Sequence, residues 1–412
     1  MSTIATDVRP QPETTSAPAT PRRSAFWLLA LVFAVVMLGT TLPTPLYVVY
    51  QARWHFPAVI ITVIFAVYAA GVLGALLLAG RASDQAGRKP VLAVALGASA
   101  LSTVVFILAP DTGVLLAARI VSGLSAGLMT GTATAALTEL GTGSRRASLA
   151  ATAANMGGLG LGPLVAGLFA QYLPRPTVTV FAAYLAALAV AALALVFIPE
   201  TVSPRRRPSL RFTGLGIPSA GRGEFAAAAA AAFSAFSLLG LFSALAPTFL
   251  AAVLHEHSHA IAGAVVFLLF GAGTVTQLLA SRLPSRGVML AGLALLLAGL
   301  ALIVAGLAQA ALGLFLAGTV IAGVAVGAVF LGSLATASRL APAGRRGQVI
   351  SAYFVACYCG LTVPVIGVGV LSGLIGDFSA VLIQAVLVAA LCLMAVASIA
   401  RARAPRQAVT SP

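Results

Sequence analysis

A chain of 412 residues that is 60% hydrophobic and only 8% charged, with a mean hydropathy of +1.06, has too few charges to coat a water-soluble globule. A soluble domain of any kind is excluded, and with it the nucleic-acid partner that a net charge of +15 would otherwise suggest.

Apolar runs long enough to cross a hydrocarbon core of roughly 30 Å as helices recur twelve times. They lie at about 25–49, 58–79, 91–109, 112–138, 148–170, 178–198, 225–250, 260–280, 288–308, 311–336, 348–371 and 378–400, and are numbered spans 1 to 12. Runs of this length exclude a β-barrel, whose strands are about ten residues long with alternate side chains polar. The expected fold is an all-α integral membrane protein of twelve transmembrane helices. Residues 1–24, rich in Thr, Pro, Ala and Ser, bury little apolar surface and are expected to form a disordered tail. Arg22 and Arg23 precede span 1 as in a signal peptide, but the run is too long and lacks a small-residue cleavage site. Span 1 ends in TTLPTPLYVVYQ, where Thr41, Thr44, Tyr47 and Gln51 put hydrogen-bonding groups on an oily helix.

With the N-terminus inside, the basic residues collect in the inner loops and tails. Only Arg53 and Arg175 fall in outer loops, and only Arg119 falls within a span. This is the positive-inside pattern, with both termini cytoplasmic and the protein in the plasma membrane. The loop after span 2, GRASDQAGRK, concentrates Arg81, Asp84, Arg88 and Lys89 with Gly80 and Gly87. Gly87 suits a positive φ, and Asp84 is a lone anion where cations dominate. It can pair with Arg88 or face the positive end of a helix, and would act as a latch if that contact existed only with the inner side closed.

Gly80, Asp84, Gly87, Arg88 and Lys89 match the G-x-x-x-D-x-x-G-R-[RK] loop of the major facilitator superfamily, which the chain resembles from about residue 25 to 400. The resemblance implies that this loop switches the protein between inward-open and outward-open states, with Asp84 contacting the second half near span 11. The loop after span 8, Ser281 to Gly287, has two arginines and no acidic residue.

Span 4 contains ARIVSGLSAG, and an Arg in hydrocarbon is costly unless it faces water or partners, so Arg119 is expected to point into the bundle. The stretch resembles an R-x-x-x-G motif that the family associates with proton coupling. In span 5, Gly158, Gly162, Pro163 and Gly167 resemble the G-x-x-x-G-P-x-x-G-G motif of proton-exchanging exporters, although Ala166 and Leu149 depart from it. The three glycines are expected to form a backbone seam with the second half. Leu42, Pro43 and Pro45 resemble a Pro-x-Pro signature of twelve-helix drug exporters. Thr41, Thr44, Tyr47, Asn155 and Arg119, with Phe236 of span 7, are the candidate cavity or coupling residues.

The polar stretch Pro199 to Glu224 divides the spans into six and six. Expected units are a tail (1–24), a six-helix half (25–198), a cytoplasmic linker (199–224), a second half (225–400) and a tail (401–412). At an offset of 200, Gly123 falls on Gly323, Gly127 on Gly327, Leu140 on Leu340 and Arg145-Arg146 on Arg345-Arg346, as in the parallel repeats of transporters. The nine acidic residues all lie in tails, loops or span ends, so no carboxylate stands at mid-membrane to carry a proton. The stretch HEHSH offers His255, His257 and His259 as imidazoles of the kind that hold Zn²⁺, but a flexible loop fixes no coordination sphere, and no metal or cofactor is expected.

The resemblance thus implies a secondary transporter of the bacterial drug:proton antiporter branch. It would export a small amphiphilic molecule as a monomer in the lipid bilayer, with protons as the coupling ion and no nucleic-acid partner. A proton-coupled uptake symporter and a non-transporting receptor are the alternatives.

Overall fold

The computed structural model describes residues 19–79, 82–142, 145–202, 214–218, 221–342 and 345–401. The outer parts of both tails, Gly80 and Arg81 of the loop, and most of the linker's centre lie outside the described residues.

Twelve apolar helical spans occur among the described residues: Arg23–Trp54, Val59–Leu78, Arg88–Leu108, Thr112–Leu140, Arg145–Tyr172, Pro176–Val196, Arg222–Ala252, His259–Ala280, Ser285–Ala308, Leu312–Leu340, Arg346–Ile375 and Asp377–Arg401. Helix already runs from Ala19, so the last part of the expected tail belongs to span 1. Several spans extend a few residues beyond the apolar runs, because a helix continues past the hydrocarbon edge wherever its backbone bonds remain internal. A five-residue helix, Ala82–Ala86, stands alone in the loop after span 2. Asp111 accepts from the Val114 N–H at 3.0 Å and caps span 4, and Ser258 does the same for span 8 through the Ile261 N–H at 3.3 Å.

Because the spans alternate in direction, one end of the bundle gathers Arg88, Lys89, Arg145, Arg282, Arg286, Arg339 and Arg345 and is called here the basic end. One apolar cluster joins residues of spans 1 to 6, and a second joins spans 7 to 12 with Phe65, Ala69 and Met156 of the first half. Large apolar side chains that face outward, such as Val190, Leu193, Val386 and Leu387, suit a lipid surround.

Glycine sets the spacing within each half. Gly123 of span 4 lies against the Tyr68 carbonyl, Gly71 and Val72 of span 2, and Gly323 of span 10 lies against Leu269 and Ala272 of span 8. The offset of 200 in the sequence is therefore a repeated contact in space, one backbone resting on another where a Cβ would not fit. Gly123→Ala and Gly323→Ala should each destabilise the protein by about 1–3 kcal/mol. Gly131→Ala, whose Cβ would meet nothing within 4 Å, should leave thermal unfolding in detergent nearly unchanged.

Candidate functional site

Three groups of residues bear on function, beginning with the loop at the basic end. Gly87 precedes span 3 with φ +99°, a conformation that favours glycine, and a Cβ there would sit 2.6 Å from Glu200 Oε2. Glu200, just past span 6, takes that space: its carboxylate accepts from the backbone N–H groups of Arg88 at 2.8 Å and Lys89 at 3.0 Å, capping span 3 with a negative charge. Lys89 Nζ in turn donates to the Val196 carbonyl at 2.8 Å, at the C-terminal end of span 6.

Arg88 is buried and reads the neighbouring charges with its whole fork. Nη1 meets Asp84 Oδ1 at 2.5 Å and Ser83 Oγ at 2.6 Å, while Nη2 donates to Glu139 Oε1 at 2.8 Å and Nε to the same oxygen at 3.3 Å. Thr201 donates to the other oxygen of Glu139. Asp84 itself is 58% exposed, and its ion pair lies within the first half rather than with the neighbourhood of span 11 that the resemblance implies.

The second group surrounds Arg119. Pro43 and Pro45 have no N–H to continue the helix of span 1, which breaks after Thr41, turns through a 3-10 segment at Thr44–Leu46 and resumes at Tyr47–Trp54. The carbonyl of Thr40, in the last turn before the break, accepts from Arg119 Nη1 at 2.7 Å. The guanidinium lies 4.5 Å from the Tyr68 ring centre and 6.0 Å from that of Tyr47. Arg119 is 0% exposed. Among the described residues no carboxylate pairs with it. Thr44 Oγ1, the hydroxyls of Tyr47 and Tyr50, Arg119 Nε and Asn155 Oδ1 are buried without hydrogen-bond partners.

Span 5 forms the third group, and here the structure corrects the sequence reading for Gly158 and Gly162 while Gly167 does meet the second half. Gly158 lies against Ala34, Met37 and Leu38, and Gly162 against Leu38, Thr41 and Leu42, all of span 1 in the same half. The seam with the second half is made by the other face: Gly160 against Phe267 and Phe270, Gly167 against His259 and Gly263, and Gly263 against the Pro163 backbone. The reason is helical period, since at about 100° per residue Gly160 and Gly167 point nearly opposite to Gly158 and Gly162. The Pro163 ring leaves the Leu159 carbonyl without its helical donor, and Thr41 Oγ1 donates to that carbonyl at 2.7 Å. Thr41 thus serves a proline in another span.

Phe236 belongs to an aromatic cluster of the second half, with Phe330 at 5.6 Å and Tyr358 at 6.2 Å. Tyr358 packs against the clusters of both halves. His257 and His259 line a 250 Å³ recess at the end opposite the basic one, together with Glu256 and Ser258.

The sequence pattern of the Major Facilitator Superfamily matches residues 29–361. The chain belongs to the major facilitator superfamily. It is therefore a multi-pass membrane transporter, and the helical architecture agrees with solved members. The human organic anion transporter MFSD10 (TETRAN) aligns at 18% identity with a TM-score of 0.66, over 92% of this chain and 100% of that one. The nucleoside transporter NupG aligns at 15% identity and 0.70, over 92% and 99%. A bacterial homolog of the human lysosomal transporter Spinster, inward-facing and unoccupied, aligns at 14% identity and 0.70, over 95% and 100%. No curated protein sequence gives a significant match.

For a superfamily member, the residues that sequence reading passed over are Glu139, Glu200 and Thr201. Their positions at span ends, beside a basic loop, were the available signal. Glu139→Gln should destabilise the protein by about 1–3 kcal/mol, since Arg88 would remain buried with a weaker partner set. Thr41→Val should cost about 1–2 kcal/mol and Thr41→Ser much less, both read as thermal unfolding in detergent, because only the hydroxyl serves the Leu159 carbonyl.

Proposed function

We propose that the protein exports a small amphiphilic molecule by alternating access, in exchange for protons, as a monomeric member of the bacterial drug:proton antiporter branch. The arginine-rich end faces the cytoplasm, as do both termini, and the membrane is the plasma membrane; the distribution of basic residues supports this orientation.

The observation that carries the reading is the contrast between the two ends. At the end opposite the basic one, the halves meet along a close seam, with Gly167 on Gly263 and Gly369 on Thr62, and Gln171 Oε1 accepts from the His259 N–H at 3.0 Å. At the basic end, the charge network of Asp84, Arg88, Glu139 and Glu200 stays within the first half, and a hydrogen bond from Arg145 to Ser281 crosses to the second. A carrier needs two gates that are not closed by the same contacts, and this chain has two of different chemistry. Asp84 is 58% exposed and pairs with Arg88 among the described residues, which leaves its carboxylate room for the second contact that closes the cytoplasmic end.

Proton exchange rests on the likeness of the span 4 and span 5 motifs to the antiporter branch, and the aromatic cluster around Phe236, Phe330 and Tyr358 suits an apolar substrate body.

Asp84→Asn should reach the membrane at wild-type levels yet lose most efflux of an accumulated dye from intact cells; wild-type efflux would end the latch role. Direction is tested in right-side-out vesicles with an inward proton gradient. The wild type should lower internal dye, and accumulation of dye would replace export with symport.

A further inference from the structure

Arg119 is the most deeply buried charge among the described residues, yet its neighbours leave its needs unmet. The Thr40 carbonyl takes one N–H at 2.7 Å and the Tyr68 ring faces the cation at 4.5 Å. No carboxylate among the described residues completes the set. Its Nε–H is buried with no acceptor, and so is the hydroxyl of Tyr47, whose ring centre is 6.0 Å away. Thr44 and Tyr50 lie three residues either side of Tyr47, on the same helical face, and their hydroxyls are also buried and unpartnered.

The charge of this set is one-sided. A guanidinium N–H can only donate, and phenol and threonine hydroxyls each carry a hydrogen to give. Buried polar groups are ordinarily paired, and a buried cation ordinarily has a counter-charge. A cluster of spare donors around an unpaired cation has the complement of an anionic oxygen pair. A cationic ligand would meet like charge, and a neutral amide could hydrogen-bond the hydroxyls but would leave the buried guanidinium without a counter-charge.

We infer that Arg119 and the Tyr47 hydroxyl, flanked by Thr44 and Tyr50, form a subsite for the carboxylate head of an organic anion. The inference rests on the proposed reading of the bundle as an alternating-access carrier of amphiphilic molecules, and narrows its substrates to acids. The Tyr68 and Tyr47 rings receive the apolar body next to the head group. Since Arg119 lies about two turns from the start of span 4 at the end opposite the basic one, the subsite is uncovered when that end opens, and holds the anion on the side where an exporter releases it.

The test uses the full chain in lipid nanodiscs and calorimetric titration with 1-naphthoate, its neutral amide 1-naphthamide, the cation 1-naphthylmethylamine, and inorganic phosphate. The wild type should bind naphthoate at least about tenfold more tightly than naphthamide and the amine least. Arg119→Gln should bring naphthoate and naphthamide to within about twofold, Arg119→Lys should keep part of the preference, and Tyr47→Phe should weaken naphthoate several-fold and naphthamide clearly less. Should Arg119→Gln fail to fold, Tyr47→Phe, which keeps the ring and loses only the orphan hydroxyl, decides alone. Equal binding of the three naphthyl probes, no binding of naphthoate, or a preference that survives Arg119→Gln overturns the subsite. Tight phosphate binding without preference for naphthoate also overturns it, in favour of a free-ion site. Efflux of a carboxylated dye from cells separates the two readings: a protein that moves the dye but shows no naphthoate preference retains export and loses the subsite, whereas one with the preference that moves no carboxylated dye retains the subsite and loses export.

Discussion

In hydrocarbon there is no water to satisfy a backbone group that loses its helical partner, and much of this protein's inner architecture follows from how that shortage is met. In the first half two proline sites create the shortage, and Pro247 and Pro364 stand inside helices of the second. Pro163 deprives the Leu159 carbonyl of its donor, and Pro43 and Pro45 end the first segment of span 1, leaving the Thr40 carbonyl open. Each carbonyl is then met by a side chain from another span, Thr41 in one case and Arg119 in the other. The two repairs tie span 1 to span 5 and span 1 to span 4 within about one helical turn, so the break in span 1 is a junction for the first half rather than a loose hinge.

Glycine distributes the remaining close contacts, and its direction decides what each one holds together. Gly158 and Gly162 fix span 5 to span 1 inside the first half, whereas Gly160 and Gly167 fix it to span 8 across the halves. One helix thereby belongs to a rigid body on one face and to a separable seam on the other. Movement between the halves must break the second set and can leave the first intact, which is what rigid-body rocking of one repeat against the other requires.

The architecture was legible in the sequence because its signals are long and additive: twelve apolar runs, arginines sorted by loop, and a glycine and arginine pattern repeated at 200 residues. The loop after span 2 was legible because its residue types are costly to place together by accident. Less legible was everything that depends on direction around a helix or on a distant chain end. The face of each span 5 glycine follows from its angle, yet which neighbour occupies that face is a tertiary fact. Glu200 lies 112 residues from the Arg88 N–H that it caps, and nothing local to either marks the pairing. Arg119 was marked as internal by its charge alone, but the carbonyl that receives it exists only because span 1 breaks at its prolines.

The two halves repeat one another in packing and differ in charge, and the difference is orderly. Lys89 near the start of span 3 donates to the end of span 6 at Val196, and Arg286 near the start of span 9 donates to the end of span 12 at Ile399. That device is shared, since any helix C-terminus at the basic end gains from a cation. The ion pairs are not shared. Glu139 at the end of span 4 meets Arg88 of span 3, while the residue 200 positions on, Arg339 at the end of span 10, meets Glu224 of span 7. Equivalent positions thus carry opposite charges. In a bundle whose halves are related by an axis along the membrane normal, like charges at such positions would repel whenever the basic end narrowed, and opposite charges do not. The loop after span 8 carries no acidic residue, and the cation at Arg339 is held within its own half by Glu224, so Asp84 is the one carboxylate of the loop pair.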